Sequence, residues 1–518
     1  MAESFDYVVI GAGSAGCVLA NRLTEDASAR VLLLEAGGPD DADEVHIPAA
    51  FSTLFKTRFD WNYETVEQKH LGDRRAYWPR AKMLGGCSSM NAMIYMRGNR
   101  LDYDQWPAGW SWDEVLPYFV RSEHNTRLGG PLHGTDGPLH VEDRRYTHEL
   151  SQAWVDSAVA WGMKPTDDFN GATQEGAGLY QVTCRRGRRW STADAYLRPA
   201  LSRPNLTVRT SALVNRILFE GTRAVGVAYS RDGAEHEVGA STEVVLCGGA
   251  VNSPQILMLS GVGPAEHLRS LDIDVVAHLP GVGENLHDHP AAPVLWRTRG
   301  TTDLASLATP ARLLRWQATG RGPFASNVGE AGAFFHTRDG LPAPDMQVHA
   351  APTLFYDNGL RESTVSGFTA GATLVDVASR GRLVLRSANP RWRPLIDPAY
   401  YSDPTDLDAM VSALHTMIEI AATAPLAKYL TEPFLPLDDP TEYIRAQTQT
   451  LYHPVGTCAM GIGELSVVDP TLKVHGIDGL RVVDASVMPK VPRGNTNAPT
   501  IMVAEKAADL IRGSEAVR

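Results

Sequence analysis

A chain of 518 residues exceeds what one ordinary hydrophobic core accommodates, so two domains are expected, and 43% hydrophobic with 21% charged residues is a soluble globular composition. A net charge of −12 argues against nucleic acid or an anionic membrane surface as partner, because both are bound by clustered Lys and Arg. Five scattered cysteines without C-x-x-C spacing (Cys17, Cys87, Cys184, Cys247, Cys458) indicate neither a disulfide framework nor structural zinc and fit a reducing cytoplasm, while no leader pattern or long apolar run signals secretion or a membrane span.

The first predicted element is FDYVVI, residues 5–10, an apolar, β-branched run ending at Gly11. Helical apolar spacing follows over 17–23, and RVLLLE, 30–35, reads as a second buried strand. Together they predict a βαβ unit with a right-handed crossover and a parallel sheet. The turn, Gly11-Ala12-Gly13-Ser14-Ala15-Gly16, fits G-x-G-x-x-G between strand and helix. Gly11 suits the tight turn, Gly13 the approach of a pyrophosphate and Gly16 the packing of helix on strand, with the helix N-terminus facing the anion. Glu35 closes the second strand where an acid accepts hydrogen bonds from an adenosine ribose. An acid there argues against the 2′-phosphate of NADP and leaves NAD and FAD open.

Further along, AKMLGGCSSMNAMIYMRG (81–98) carries a run of small residues, Gly85, Gly86, Cys87, Ser88 and Ser89, whose backbone and hydroxyls suit a flat ring and its chain. The one basic run, Arg185 to Arg189, is expected to be a solvated surface loop. EVVLCGGA (243–250) and LRVVDAS (480–486) are predicted as further strands of the first sheet. Between them, the proline-rich stretch 286–400, with alternating strands such as GRLVLRSA (381–388), predicts a second layer. The expected fold is α/β: a Rossmann-like dinucleotide-binding domain with a parallel sheet, from 1–150, 190–290 and 450–518, and a substrate-binding domain on a mostly antiparallel sheet with helices, from 151–189 and 291–449. His287 and His289 flank an aspartate but lack a third ligand, so no metal is expected, and neither HExxH nor GxSxG occurs. Near the C-terminus, His453 in LYHPVGTCAM has no metal partner at helical spacing and no adjacent nucleophile, and an amphipathic helix is predicted over PTIMVAEKAADLI, 499–511.

The segments 81–98 and GGAVNSPQILMLSGVG (248–263) resemble the two signature motifs of the glucose-methanol-choline oxidoreductase family. With GAGSAG, HPVGT, GLRVVDASVMP and TNAPTIMVAEKAADLI the resemblance runs from about residue 5 to residue 511. It implies FAD as cofactor, with Asn91 and Ala92 near the reactive edge of the flavin, Val214 at the adenine and Asp484 near the ribityl chain and pyrophosphate. Ala36, Arg80, Met83, Gly249, Ala485, Ala498 and Thr500 join the implied cofactor contacts. Met90 stands where some members carry a histidine joined covalently to the flavin; methionine forms no such bond, so non-covalent FAD is expected.

The resemblance also implies that His453 stands over the flavin. A neutral imidazole suits the proton that an alcohol must lose along with its hydride. Asn497 is the expected partner, donating to the substrate oxygen or capping the last helix, whose positive end would stabilise negative charge on the reduced flavin. Glu330 and His349 align loosely with cavity positions of choline-oxidising relatives; Phe334, Phe355 and Tyr452 are expected to add aromatic walls, and Leu451 to influence oxygen access. The segment Trp316 to Phe335 is expected as a lid. These features imply oxidation of an uncharged primary alcohol, with O2 or another acceptor taking the electrons. Choline oxidation, a non-redox flavoprotein lyase and an NAD-linked dehydrogenase are the alternatives, and oligomeric state is open.

Overall fold

In the computed structural model, which describes residues 3–361 and 363–513, the βαβ unit consists of strand Ser4–Ile10, helix Ser14–Leu23 and strand Val31–Leu34. Residues 1–2 and 514–518 of the expected cofactor segments lie outside the described residues. Val8, Val9 and all of Val31–Leu34 are almost fully buried, as β-branched runs are in a parallel sheet covered on both faces. Val8 pairs in parallel with Leu32 on one edge and with Val244 on the other. Gly16 is obligatory in this unit: a Cβ there would lie 1.8 Å from the Gly11 carbonyl oxygen.

The first sheet runs Leu206–Arg209, Val31–Leu34, Ser4–Ile10, Ala234–Leu246, Arg223–Arg231 and Leu213–Glu220, and Leu480–Val482 also pairs with Ala234–Leu246. The long strand Ala234–Leu246 joins two textures. Its first half closes an antiparallel meander with Arg223–Arg231, and its second half enters the parallel sheet beside Leu480–Val482. Only the buried second half had a strand-like sequence, because residues 234–237 are exposed and polar.

The second sheet is antiparallel, in the order Leu430–Pro433, Pro290–Thr298, Gly367–Leu374, Met346–Ala351, Ala331–Phe335 and Gly176–Leu179, with Gln449–Thr450 added to Pro290–Thr298. Helices Glu149–Trp161 and Pro404–Ala421 pack against it. The stretch GRLVLRSA stays apart: Arg382–Val384 pairs only with Leu395–Asp397 in a separate two-stranded ribbon. No helix among the described residues is long and apolar enough to cross a membrane.

Replacing Gly16 by Ala forces a methyl group into the Gly11 carbonyl. Overpacking of this kind costs about 1–3 kcal/mol, so Gly16→Ala should lower the thermal midpoint by several degrees and reduce the soluble yield; an unchanged melting curve would contradict the packing described.

Candidate active site

A cavity of about 580 Å³ runs from the glycine turn at the end of the first strand to the antiparallel sheet. At its first end lie Gly11, Gly13, Ser14 and Ala15, with Glu35 and Ala36 beyond them. The Glu35 carboxylate accepts from the Ala12 N–H at 2.9 Å and the Gly37 N–H at 2.7 Å, which leaves each oxygen a second lone pair for a ribose. Burial pushes its pKa up while those two N–H groups pull it down. Val214 and Gly249 line the same end. Asp484 accepts from the N–H of Gly249 (2.9 Å), the hydroxyl of Ser253 (2.6 Å) and the N–H of Ser486 (2.8 Å), so it fixes two turns of the cavity wall.

The loop 81–98 meets the glycine turn backbone to backbone. Gly86 has φ +52° and a Cβ on it would lie 2.5 Å from the Gly13 Cα, so the approach needs glycine at position 86. The resulting trough, lined by Gly86, Met90, Asn91, Ala92, Ala485 and Thr500, is continuous with the glycine end and suits an extended dinucleotide. Arg80 lines it too, donating to the Tyr452 carbonyl at 2.5 Å.

At the far end the chain brings three histidines together. Residues 287–290 run antiparallel to 450–455, pairing His287 with Val455 and Pro290 with Thr450, and the extra residues between bulge outward. Tyr452 takes φ +69° in this bulge, and His453 sits beside it, 8% exposed. The His453 N–H donates to Asp288 at 2.7 Å, and Asp288 also accepts from Thr450 (2.6 Å) and Tyr400 (2.5 Å). The two ring nitrogens of His453 are both engaged: Nδ1 lies 3.0 Å from His289 Nδ1, and Nε2 lies 3.3 Å from Asn495 Nδ2. His349 adds a third imidazole to the cavity, with Nδ1 3.3 Å from the Thr373 hydroxyl and Nε2 without a partner.

Strand alternation explains the wall opposite the trough. Ala291 and Pro293, His349 and Ala351, and Thr369, Gly371 and Thr373 are each spaced by two residues and share one face of the antiparallel sheet. Phe51, Phe55, Phe355 and Tyr452 close the remaining side, with Phe51–Phe355 centroids 5.8 Å apart and Phe55–Tyr452 centroids 5.7 Å apart. Leu451 and Val328 complete it.

Two family models, both described as GMC oxidoreductase, match residues 5–291 and 377–504. The chain belongs to the GMC oxidoreductase family. It is 44% identical to the mitochondrial choline dehydrogenase of Mus musculus, covering 99% of this chain and 90% of that one. It is 42% identical to an alcohol dehydrogenase [acceptor] of Pseudomonas putida, covering 98% of this chain and 95% of that one. Among solved structures it is similar to a formate oxidase of Aspergillus oryzae studied for the modification of its FAD, with TM-score 0.92 and 26% identity over 99% of this chain and 98% of that one. This GMC oxidoreductase is an enzyme acting on CH–OH donors.

Several site expectations are corrected by the structure of this GMC oxidoreductase. Asn495, not Asn497, faces His453: Asn497 begins the last helix, Asn497–Arg512, and its Oδ1 accepts from Ser14 at 2.8 Å. Phe334 is buried among Phe169, Tyr180 and Ile94, because its place in the strand turns it from the cavity. Glu330 is fully buried and spends its oxygens on the His148 N–H (2.7 Å) and the Ser326 hydroxyl (2.5 Å). The Ser89 hydroxyl donates to the Leu84 carbonyl, and Met83, Gly85 and Ala498 pack behind the cavity wall rather than in it. Of the expected lid, only Val328 and Gly329 reach the cavity, since Trp316 packs on Ile47 and Ala325.

Arg189 is likewise no surface residue. It is buried, donating to the Val45 carbonyl at 2.6 Å, the Ser88 carbonyl at 3.1 Å and Asn91 Oδ1 at 2.8 Å, and burial brings its pKa down to about 10. Five contributors were missed: His289, Asp288, Asn495, Phe51 and Phe55. His289 and Asp288 alone had a signal, as neighbours in HDHP.

Burial pushes the pKa of His453 well below the usual imidazole value, with His289, His349 and Arg80 adding repulsion. Burial takes His349 down to about 4, and takes His289 down to about 3 with His349 contributing. These rings stay neutral in the fold below pH 6.5, where the unfolded chain binds protons, so the stability they leave intact above pH 6.5 is lost as pH falls toward 4 and 3. Urea unfolding should therefore show a loss of a few kcal/mol between pH 6.5 and pH 4, reduced when His349 is replaced by Gln; a pH-independent midpoint over that range would refute it.

Proposed function

We propose that the enzyme oxidises an uncharged primary alcohol to the aldehyde, with FAD held without a covalent bond and His453 accepting the hydroxyl proton. The observation that carries this reading is His453 Nε2, 3.3 Å from the Asn495 amide, in one cavity with the trough of Met90, Asn91 and Ala92. The glycine turn and Glu35 would hold the pyrophosphate and ribose, and the 90–92 turn with Ala485 the ring system. FAD, when bound there, would supply the two-electron acceptor for the carbinol hydride. Burial keeps His453 neutral and so able to take the O–H proton at Nε2. The Asn495 amide, a donor that cannot compete for that proton, steadies the substrate oxygen together with His349. Met90 offers no nitrogen for a flavin bond, which supports the non-covalent reading.

The acids lining the cavity are Glu35, Asp60 and Asp484, and each already accepts hydrogen bonds from backbone N–H groups. Among the described residues no carboxylate free of such bonds thus stands beside the aromatic wall to balance a cationic substrate, which favours a neutral alcohol. The aromatic faces of Phe51, Phe55, Phe355 and Tyr452 support choline as the second reading, since a quaternary ammonium is attracted to such faces.

Purified enzyme should be yellow, release its flavin on acid precipitation, and bleach without air on adding hexanol or benzyl alcohol faster than on adding choline. Bleaching by choline alone would select the second reading, and flavin retained in the precipitate would overturn non-covalent binding. Peroxide formed on readmitting air identifies O2 as acceptor, and its absence another acceptor. His453→Ala should lower kcat/KM about 100-fold or more. Asn495→Ala should also act on kcat/KM, whereas Asn497→Ala, which loses the Ser14 bond, should act on flavin retention; equal effects of the two asparagines on turnover would contradict the assignment.

A further inference from the structure

The reading of His453 as base requires a bare Nε2, and the hydrogen-bond directions around it can be traced to a fixed origin. That origin is the Val348 carbonyl, which only accepts. Tyr180 donates its single hydroxyl hydrogen to it at 2.6 Å. The Tyr180 oxygen must then accept from Gln347, whose Nε2 lies 3.2 Å away; the reversed amide would set two acceptors face to face. The same Gln347 Nε2 donates its other hydrogen to Asn495 Oδ1 at 3.2 Å. With its oxygen so engaged, Asn495 can present only Nδ2 to His453, at 3.3 Å from Nε2. An amide nitrogen donates, so His453 Nε2 is the lone-pair nitrogen and its hydrogen sits on Nδ1, donated to His289 Nδ1 at 3.0 Å. His289 then carries its own hydrogen on Nε2, which has no hydrogen-bond partner among the described residues.

We propose that Tyr180 and Gln347, which belong to none of the reacting groups, are positioning residues that fix the tautomer of His453 through Asn495. This rests on His453 being the base. The placement is built into the fold: Gln347 shares a strand face with His349 and Ala351, and Gly332, where a Cβ would lie 2.0 Å from the Tyr180 oxygen, leaves the space for that hydroxyl. Both side chains are fully buried, so no water replaces either partner.

The direction of the relay can be inverted by one near-isosteric change. Gln347→Glu turns the donor into an acceptor, so Asn495 must rotate its amide, present Oδ1 to His453 and require a hydrogen on Nε2. The holoenzyme labelled with [15N]histidine should show His453 as the Nδ1–H tautomer, and Gln347→Glu should convert it to Nε2–H with kcat/KM lowered about 100-fold, the size of a general-base contribution. In an Asn495→Ala background Gln347→Glu should have no further effect on kcat/KM. Gln347→Met, which adds no buried charge, serves if the Glu variant misfolds and should give a mixture of the two tautomers. An Nδ1–H signal unchanged in the folded variant, or an equal loss of kcat/KM with and without Asn495, overturns the proposal. A converted tautomer with unchanged kcat/KM would leave the relay standing and remove His453 as the base.

Discussion

The site depends on one stretch of backbone, residues 449–460, being bonded on both flanks. Toward the antiparallel sheet, Leu451 N–H donates to the His289 carbonyl at 2.9 Å and Val455 N–H to the His287 carbonyl at 3.0 Å. Toward the parallel sheet, Cys458 N–H donates to Ser486 at 2.9 Å and Met460 N–H to Val487 at 2.8 Å, just past the strand that ends at Val482. A side chain on this stretch is therefore registered to the turns of the parallel sheet and to the face of the antiparallel sheet at once. His453 occupies its bulge, and the carboxylate of Asp288 holds the bulge shut from behind. Neither sheet alone could aim the imidazole.

The same burial that aims the ring also sets its chemistry. A buried imidazole without a carboxylate on either ring nitrogen resists protonation, and three such rings near one another resist it more. The cost appears as lost stability in acid, while the consequence is a ring held away from its imidazolium form. Replacing the Asn495 amide by a carboxylate would reverse this balance by favouring imidazolium.

Much of the fold was legible because burial on two faces writes itself as apolar, β-branched runs: residues 5–10 and 30–35 announced their strands, and the glycine pattern announced the turn between them. The glycines also carried the site, since Gly86 meets Gly13 where a Cβ on Gly86 has no room. What failed to show was parity and long-range contact. Asn495 and Asn497 stand two residues apart in Gly-Asn-Thr-Asn, and the start of the helix at Asn497 decides which one turns to Ser14 and which stays on the loop beside His453. Phe334 and Gln347 are matters of which strand face points inward, and a short strand of uniformly buried residues hides that. Phe51 and Phe55 come from the turn of helix over residues 48–54 and its cap, far in sequence from the Phe355 and Tyr452 rings they meet.

The buried guanidinium of Arg189 ties the carbonyl of Val45, just ahead of the aromatic segment, to Ser88 and Asn91 in the 81–98 loop. Aromatic wall and glycine-rich trough are thus riveted to one another through this guanidinium, as they are through Arg80 and the Tyr452 carbonyl. Any redesign of the pocket that moves residues 48–55 would pull on the 81–98 loop through Arg189, so changes of side chain within that wall are open to engineering while displacement of its backbone is not.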